Sequence, residues 1–140
     1  MLSKLMLGLF VGLLFFGCNA KKPVVEEVDE NIPTIEAKPY KLVSFGKSKM
    51  AIPRKAKILL KDGEFAGWAG CNAIGGTYEI DLKKQTVRFH QGPSTLMACP
   101  DMKLETKFRK YLQAVDSYEI RGKMMILKVG DTQVLDFMEQ

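Results

Sequence analysis

Histidine and tryptophan are almost missing from this chain, with one of each in 140 residues, His90 and Trp68. A metal cage built on several imidazoles is therefore excluded, and any catalytic imidazole has to be His90. The three cysteines, Cys18, Cys71 and Cys99, include no Cys-x-x-Cys pair, which removes zinc ribbons and dithiol redox motifs. The longest apolar run, residues 5–16, is 12 residues long, short of the about 20 that a membrane-spanning helix needs. No internal repeat is visible, so solenoid and propeller arrays are excluded. Residues 19–38 contain no aromatic side chain, and residues 47–61 contain no acid.

The apolar run has a clear setting. It follows Lys4 and ends in Phe15-Phe16-Gly17-Cys18, and a charged start, a short apolar stretch and a small residue at the cut site describe an export signal. A cysteine directly after the small residue resembles the lipobox of bacterial lipoproteins, although Phe15 stands where that motif usually has Leu. The resemblance implies cleavage before Cys18, lipid on Cys18 and residence in the bacterial cell envelope. Asn19 takes the place of the Asp that retains many Gram-negative lipoproteins in the inner membrane, which implies the outer membrane, facing the periplasm. Cleavage leaves 123 residues, enough for one small domain and a tether. Residues 19–38 hold Pro23, Pro33, Glu26, Glu27, Asp29, Glu30 and Glu36 and cannot bury enough apolar surface to offset their ordering entropy. The chain thus divides into a signal peptide (1–17), an acidic flexible tether (18–37) and a domain (38–140).

That domain is basic. Residues 37–140 carry 18 Lys and Arg against 11 Asp and Glu, and Lys47, Lys49, Arg54, Lys55, Lys57 and Lys61 crowd one acid-free stretch. Lysines on a sheet edge discourage edge-to-edge pairing, and that is the preferred account; attraction to anionic headgroups or an acidic partner is the other. No basic–aromatic stacking motif for nucleic acid is present. Cys71 and Cys99 form an even pair in a disulfide-permissive compartment, so a bridge between them is the first hypothesis.

Short strands dominate the pattern. Residues 39–45, 57–61, 64–69, 76–81, 86–90, 117–121, 124–129 and 133–138 read as strands, with Asp62-Gly63 as a type I′ hairpin turn. One helix stands out, because Leu104, Phe108, Tyr111, Leu112 and Val115 form a single apolar stripe at helical period. Its Glu105 can pair with Arg109 one turn on. Strands, one helix, then strands predict an α+β domain, a small curved antiparallel sheet or partial barrel packed on one α-helix.

The densest motif is Gly67-Trp68-Ala69-Gly70-Cys71-Asn72-Ala73-Ile74-Gly75-Gly76-Thr77-Tyr78. Glycines serve positive φ or close approach, and Asn tolerates left-handed geometry, so a tight buried loop between strands is expected. Thr95-Leu96-Met97-Ala98-Cys99-Pro100 follows, then Glu105. Together Gly67, Gly70, Cys71, Asn72, Gly76, Tyr78, Thr95, Met97, Cys99 and Glu105 resemble, in order and spacing, the META domain, the family of the HslJ heat-shock protein. Tyr40 stands where many members have Trp. The resemblance covers about residues 38–138. It implies a β-rich fold with one packed helix, no established catalytic reaction, and links to envelope stress, antibiotic tolerance, motility or secretion.

Sharper chemistries fare poorly. Cys71, His90 and Asn72 supply the residue types of a Cys-His-Asn hydrolase, but Asn72 adjoins Cys71 and is badly placed to orient a histidine serving that thiol. Cys71, Cys99 and His90 could ligate a metal, without the usual spacing. Met97, Met102, Met124, Met125 and Met138 fit core and strand positions better than a soft-metal surface, and Trp68 reads as a core aromatic. The expected protein is a monomeric, non-catalytic envelope lipoprotein of META type. It would act in envelope stress tolerance or maintenance through an unidentified protein partner, with the membrane as its lipid-mediated neighbour and no cofactor, metal or nucleic acid. The alternative is a lipid or small-ligand carrier, pilotin-like, using the concave sheet face; an enzyme ranks last.

Overall fold

In the computed structural model, residues 34–140 are described; residues 1–33, with the export signal, Cys18 and most of the tether, lie outside the described residues. The elements follow the sequence pattern: β1 (Lys38–Ser44), β2 (Lys57–Lys61), β3 (Glu64–Trp68), β4 (Ala73–Asp81), β5 (Thr86–Ser94), α1 (Lys103–Ala114), β6 (Ser117–Arg121), β7 (Met124–Val129) and β8 (Thr132–Glu139). Alternating burial in β2, with Ile58 and Leu60 inward and Lys57, Leu59 and Lys61 outward, is the two-residue period of a strand with one wet face. The β2–β3 turn has positive φ at both Asp62 (52°) and Gly63 (77°), as a type I′ turn requires.

Each strand pairs antiparallel with its neighbour in sequence, and β1 pairs with β8. The eight strands therefore close into a barrel. This corrects the α+β expectation of an open or partial sheet packed on a helix: the fold is β-rich, the sheet closes on itself, and among the described residues one 12-residue helix packs against it. Two physical facts hid the closure. The β1–β8 pairing, with Tyr40 opposite Glu139 and Leu42 opposite Phe137, joins the two ends of the domain, and local periodicity is blind to it. Strands β4 and β5 also run through Gly75, Gly76, Gly92 and Pro93, residues that lower strand propensity.

Side chains fill the interior, as expected of an eight-stranded barrel. Tyr40, Leu42, Ile58, Leu60, Phe65, Tyr78, Phe89, Met125, Leu127 and Phe137 are buried in one cluster, and Phe65 meets Phe89 edge-on with ring centroids 5.4 Å apart. Helix α1 adds Phe108 and Leu112, both fully buried. The Phe108 ring lies 6.4 Å from Phe45 and 6.2 Å from Phe137. The helix belongs to the connection across the weakest seam: β5 and β6 share the single pair Thr86–Ser117, extended by Val87 N–H to Asp116 O (3.2 Å) and Tyr118 N–H to Gln85 O (2.9 Å).

The packed domain begins before residue 38. Ile35 is fully buried in the core, Ala37 N–H donates to Leu60 O at 2.7 Å, and the Tyr78 hydroxyl donates to Glu36 Oε1 at 2.8 Å. Burial first, then the Glu36 hydrogen bond and charge, push the Tyr78 hydroxyl well above its ordinary range, so it stays a donor at any physiological pH. Among the described residues, no helix is long and apolar enough to cross a membrane.

Gly76 sits at a β4–β5 irregularity where the two backbones nearly touch. A Cβ there would lie 2.1 Å from the His90 carbonyl oxygen and 2.8 Å from the Gly92 nitrogen, both backbone atoms with little freedom to withdraw. Gly76→Ala is expected to cost about 1–3 kcal/mol as an overpacking substitution, measured as a lower urea midpoint at unchanged slope; Gly70→Ala, whose φ is not positive and whose added Cβ would meet its nearest atom at an ordinary 3.6 Å, is the comparison. An unchanged midpoint for Gly76→Ala would contradict the close crossing.

Candidate functional site

Most of the motif residues converge on one buried point. The chain leaves β3 at Trp68, turns through residues 69–72 and enters β4 at Ala73. Ala69, Cys71 and Asn72 are buried. Facing them are the segment after β5, residues 95–99, and the first turn of α1.

Glu105 holds the centre and is only 2% exposed. Its Oε2 accepts the backbone N–H groups of Cys71 (3.1 Å) and Asn72 (2.7 Å), and its Oε1 accepts Asn72 Nδ2–H at 3.1 Å. Asn72 is fully occupied. Its Nδ2 also donates to Met97 O at 3.4 Å, while its Oδ1 accepts from the Thr95 hydroxyl (2.9 Å) and Met97 N–H (2.7 Å). Thr95 Oγ1 in turn accepts Ala73 N–H at 3.0 Å, and Thr95 N–H donates to Ala73 O at 3.1 Å. Cys71 and Cys99 are joined as a disulfide with Cα atoms 6.2 Å apart, inside the range that a bridge spans. Residues 71–73 are thus tied to two segments more than 20 residues later, 95–99 and the first turn of α1, by hydrogen bonds and one covalent link.

Several sequence expectations change here. Glu105 makes no pair with Arg109; it points inward, and Arg109 instead donates to Gln91 Oε1 and Ser94 Oγ, each at 3.1 Å. Gln91 returns the contact by donating to Arg109 O at 2.6 Å, which clamps α1 to β5. The glycine loop does not exploit left-handed geometry, since positive φ occurs at Gly46, Gly63, Gly122 and Gly130 and not at Gly67, Gly70, Gly75 or Gly76. Gly70 instead passes close to Glu105, whose Cβ would lie 3.6 Å from an added Cβ. Trp68 is not a core residue: it is half-buried on the barrel's outer side, its Nε1–H donating to Cys71 O at 3.3 Å.

The candidate chemistries find no support in these positions. His90 is exposed on β5 opposite Thr77, its Nε2 3.4 Å from Glu79 Oε1, and it does not reach Cys71. Among the described residues, no group of three or more His, Cys, Asp or Glu could hold a metal ion. Gly76 and Tyr78 belong to the barrel wall and Gly67 to β3, away from the Glu105 carboxylate. Of the ten motif residues, Cys71, Asn72, Thr95, Met97, Cys99 and Glu105 form the node itself. The arrangement is a structural latch that fixes the 95–99 segment, leaving Leu96 94% and Met97 54% exposed on its outside.

A buried carboxylate is tolerated only while its N–H donors are in place. Glu105→Gln sets an amide NH₂ against those donors, and the expected loss is about 2–4 kcal/mol by denaturant unfolding. Adding Asn72→Ala should then cost far less than it does alone, because the two share one network. Reduction of the bridge, whose cysteines are 28 residues apart, should cost on the order of 3 kcal/mol. A Glu105→Gln protein as stable as the parent would show that the node does not hold the fold.

No curated protein sequence matches the chain. Two solved structures share its fold: a DUF4847-family protein from Bacteroides vulgatus (18% identity, TM-score 0.57, covering 72% of this chain and 91% of that one), and a protein from Burkholderia xenovorans (20% identity, TM-score 0.57, covering 75% and 83%). At such identities the likeness concerns the fold alone. The family model for the META domain matches residues 33–140, the whole barrel including the docked Ile35 and Glu36, and this chain belongs to the META domain family.

Proposed function

We propose that this META-domain protein is a non-catalytic lipoprotein of the bacterial cell envelope, anchored through lipid on Cys18 in the outer membrane and facing the periplasm. It acts in envelope stress tolerance or maintenance by contacting another envelope protein. One observation carries the contact reading. Leu96 and Met97 project into solvent from a segment whose backbone and neighbours are locked by Asn72, Thr95 and the Cys71–Cys99 bridge. A large apolar side chain shown on a rigid support binds a partner without the ordering cost that a mobile loop would incur. The motif residues that might have served catalysis are committed to that support, with Glu105 and Asn72 sealed from solvent.

The carrier alternative is less well supported. A carrier of this architecture would use the concave face of the sheet, and that face is packed with Tyr40, Leu60, Phe65, Phe89, Phe108 and Phe137.

A photo-crosslinking residue at position 96, in cells of the native host, is expected to give one dominant adduct with an envelope protein, and the same probe at the exposed turn residue Lys123 should give none. Leu96→Asp should abolish co-purification of that partner without lowering the unfolding midpoint. Mass analysis should find lipid on Cys18, lost in Cys18→Ala together with membrane fractionation. A ladder of weak adducts at position 96 would count against the partner; an unmodified Cys18 in the mature protein would remove the anchor.

A further inference from the structure

The acid-free stretch at residues 47–61 ends in β2, which is paired on both sides, with β1 and β3, so its lysines guard no free sheet edge. Its cations gather elsewhere. Lys41 on β1 stands directly opposite Lys57 on β2, and Lys57 stands directly opposite Trp68 on β3. All three lie on the outer side of the barrel, giving a row of ammonium, ammonium and indole across three strands. Like charges in directly opposed positions are unfavourable, and neither lysine makes an ion pair among the described residues.

Two more cations join the row. Residues 53–56 form a turn closed by Ala56 N–H to Pro53 O at 3.0 Å, and Ala56 O accepts Leu42 N–H at 2.9 Å, which fixes the turn to β1. Arg54 and Lys55 at its tip line, with Lys41, Lys57, Trp68 and Gln140, a surface concavity of about 590 Å³. No aspartate or glutamate side chain lines it, and the backbone carboxylate of Gln140 offsets only one of its four cations. Four cationic side chains around one hollow focus a positive field there. The Trp68 indole is held in place by its bond to Cys71 O, so one wall is rigid.

The adjoining row is apolar. Two residues along the same strands, Pro39, Leu59 and Ala66 stand opposite one another, with Leu59 41% exposed. Met138, opposite Lys41 on β8 and also exposed, extends the apolar margin. A cationic hollow beside an apolar strip matches an anionic amphiphile better than a free ion.

We propose that this concavity binds the phosphate of an anionic phospholipid headgroup, with Lys41, Arg54, Lys55 and Lys57 around the phosphate, Trp68 against the glycerol, and the Pro39–Leu59–Ala66 row against the base of the acyl chains. The site is independent of lipid attachment at Cys18 and of any partner at Leu96.

Trp68 is the sole tryptophan of the chain, so its emission reports occupancy directly. The full chain, held in uncharged detergent, is titrated with dihexanoyl phosphatidylglycerol, dihexanoyl phosphatidylcholine and inorganic phosphate. Expected is a saturable emission change with phosphatidylglycerol, weakened by salt, and a far weaker response to the other two. Lys57→Glu should raise the half-saturating concentration about tenfold or more. The same change places a carboxylate opposite Lys41 and should raise the thermal midpoint, so binding and stability move in opposite directions, which a general loss of structure would not produce. Arg54→Gln, on the turn, should weaken binding with the midpoint unchanged, and Lys47→Glu, in the same basic stretch but outside the concavity, should leave both unchanged. Equal saturation by inorganic phosphate would overturn the lipid assignment in favour of a free anion. No saturable response, or one indifferent to Lys57→Glu and Arg54→Gln, would overturn the site altogether.

Discussion

The carboxylate of Glu105 is the constraint on which the rest of this structure leans. Removing such a group from water is costly, and three N–H donors from Cys71 and Asn72 offset that cost. Each donor is useful only if the residue 69–72 turn, Asn72 and the first turn of α1 occupy their places together. The node is therefore close to all-or-none, which makes it a good device for fixing a fold. A carboxylate in the first turn also sits favourably at the positive end of the helix dipole. Once Glu105 is inward, the helical period carries Phe108 and Leu112 to the same side, where both are completely buried.

Why a β-barrel needs this helix follows from its ladders. Seven of the eight seams are extended runs of paired residues, whereas β5 and β6 share one formal pair. A barrel with one poorly bonded seam would open there first, because local opening is easiest where the fewest hydrogen bonds and the least buried apolar surface hold the chain. The chain between β5 and β6 contains the 95–99 segment of the node, Cys99 of the disulfide, and α1 with Glu105. The Arg109–Gln91 clamp fastens α1 back onto β5. The motif thus reinforces the barrel where backbone pairing is least able to do so.

Local features were legible in the sequence to the extent that their causes are local. The helix was readable because five apolar residues keep a 3.6 period, and the Asp62-Gly63 turn because few dipeptides accept two positive φ values. Cys71, Asn72, Thr95, Met97 and Glu105 were marked as a set by the family motif. Their meeting point was not readable, because it depends on β3, β4 and α1 being brought together by long-range pairing. Glu105 shows the difference well. On the helix alone an i,i+4 partner in Arg109 is the natural expectation, worth only a few tenths of a kcal/mol. Three N–H donors in a dry pocket outweigh it. Closure was missed for the same reason: β1 and β8 lie at the two ends of the domain, and Gly75-Gly76 and Gly92-Pro93 concealed how far β4 and β5 extend.

Closure also changes what the basic surface means. Lysines beside an open edge are accounted for by the aggregation they prevent, and they can sit anywhere along it. On β1 and β2, each paired on both sides, that account fails, and register becomes informative instead. Lys41, Lys57 and Trp68 share one level of three consecutive strands, and Pro39, Leu59 and Ala66 share the next. A charge distribution serving only solubility would intersperse both signs and avoid placing two ammonium groups face to face. Here the repulsion is concentrated around a hollow, next to an indole and an apolar strip. Such a surface is more stable with an anion in it than without one, and the side on which that anion must be apolar is the side of Leu59.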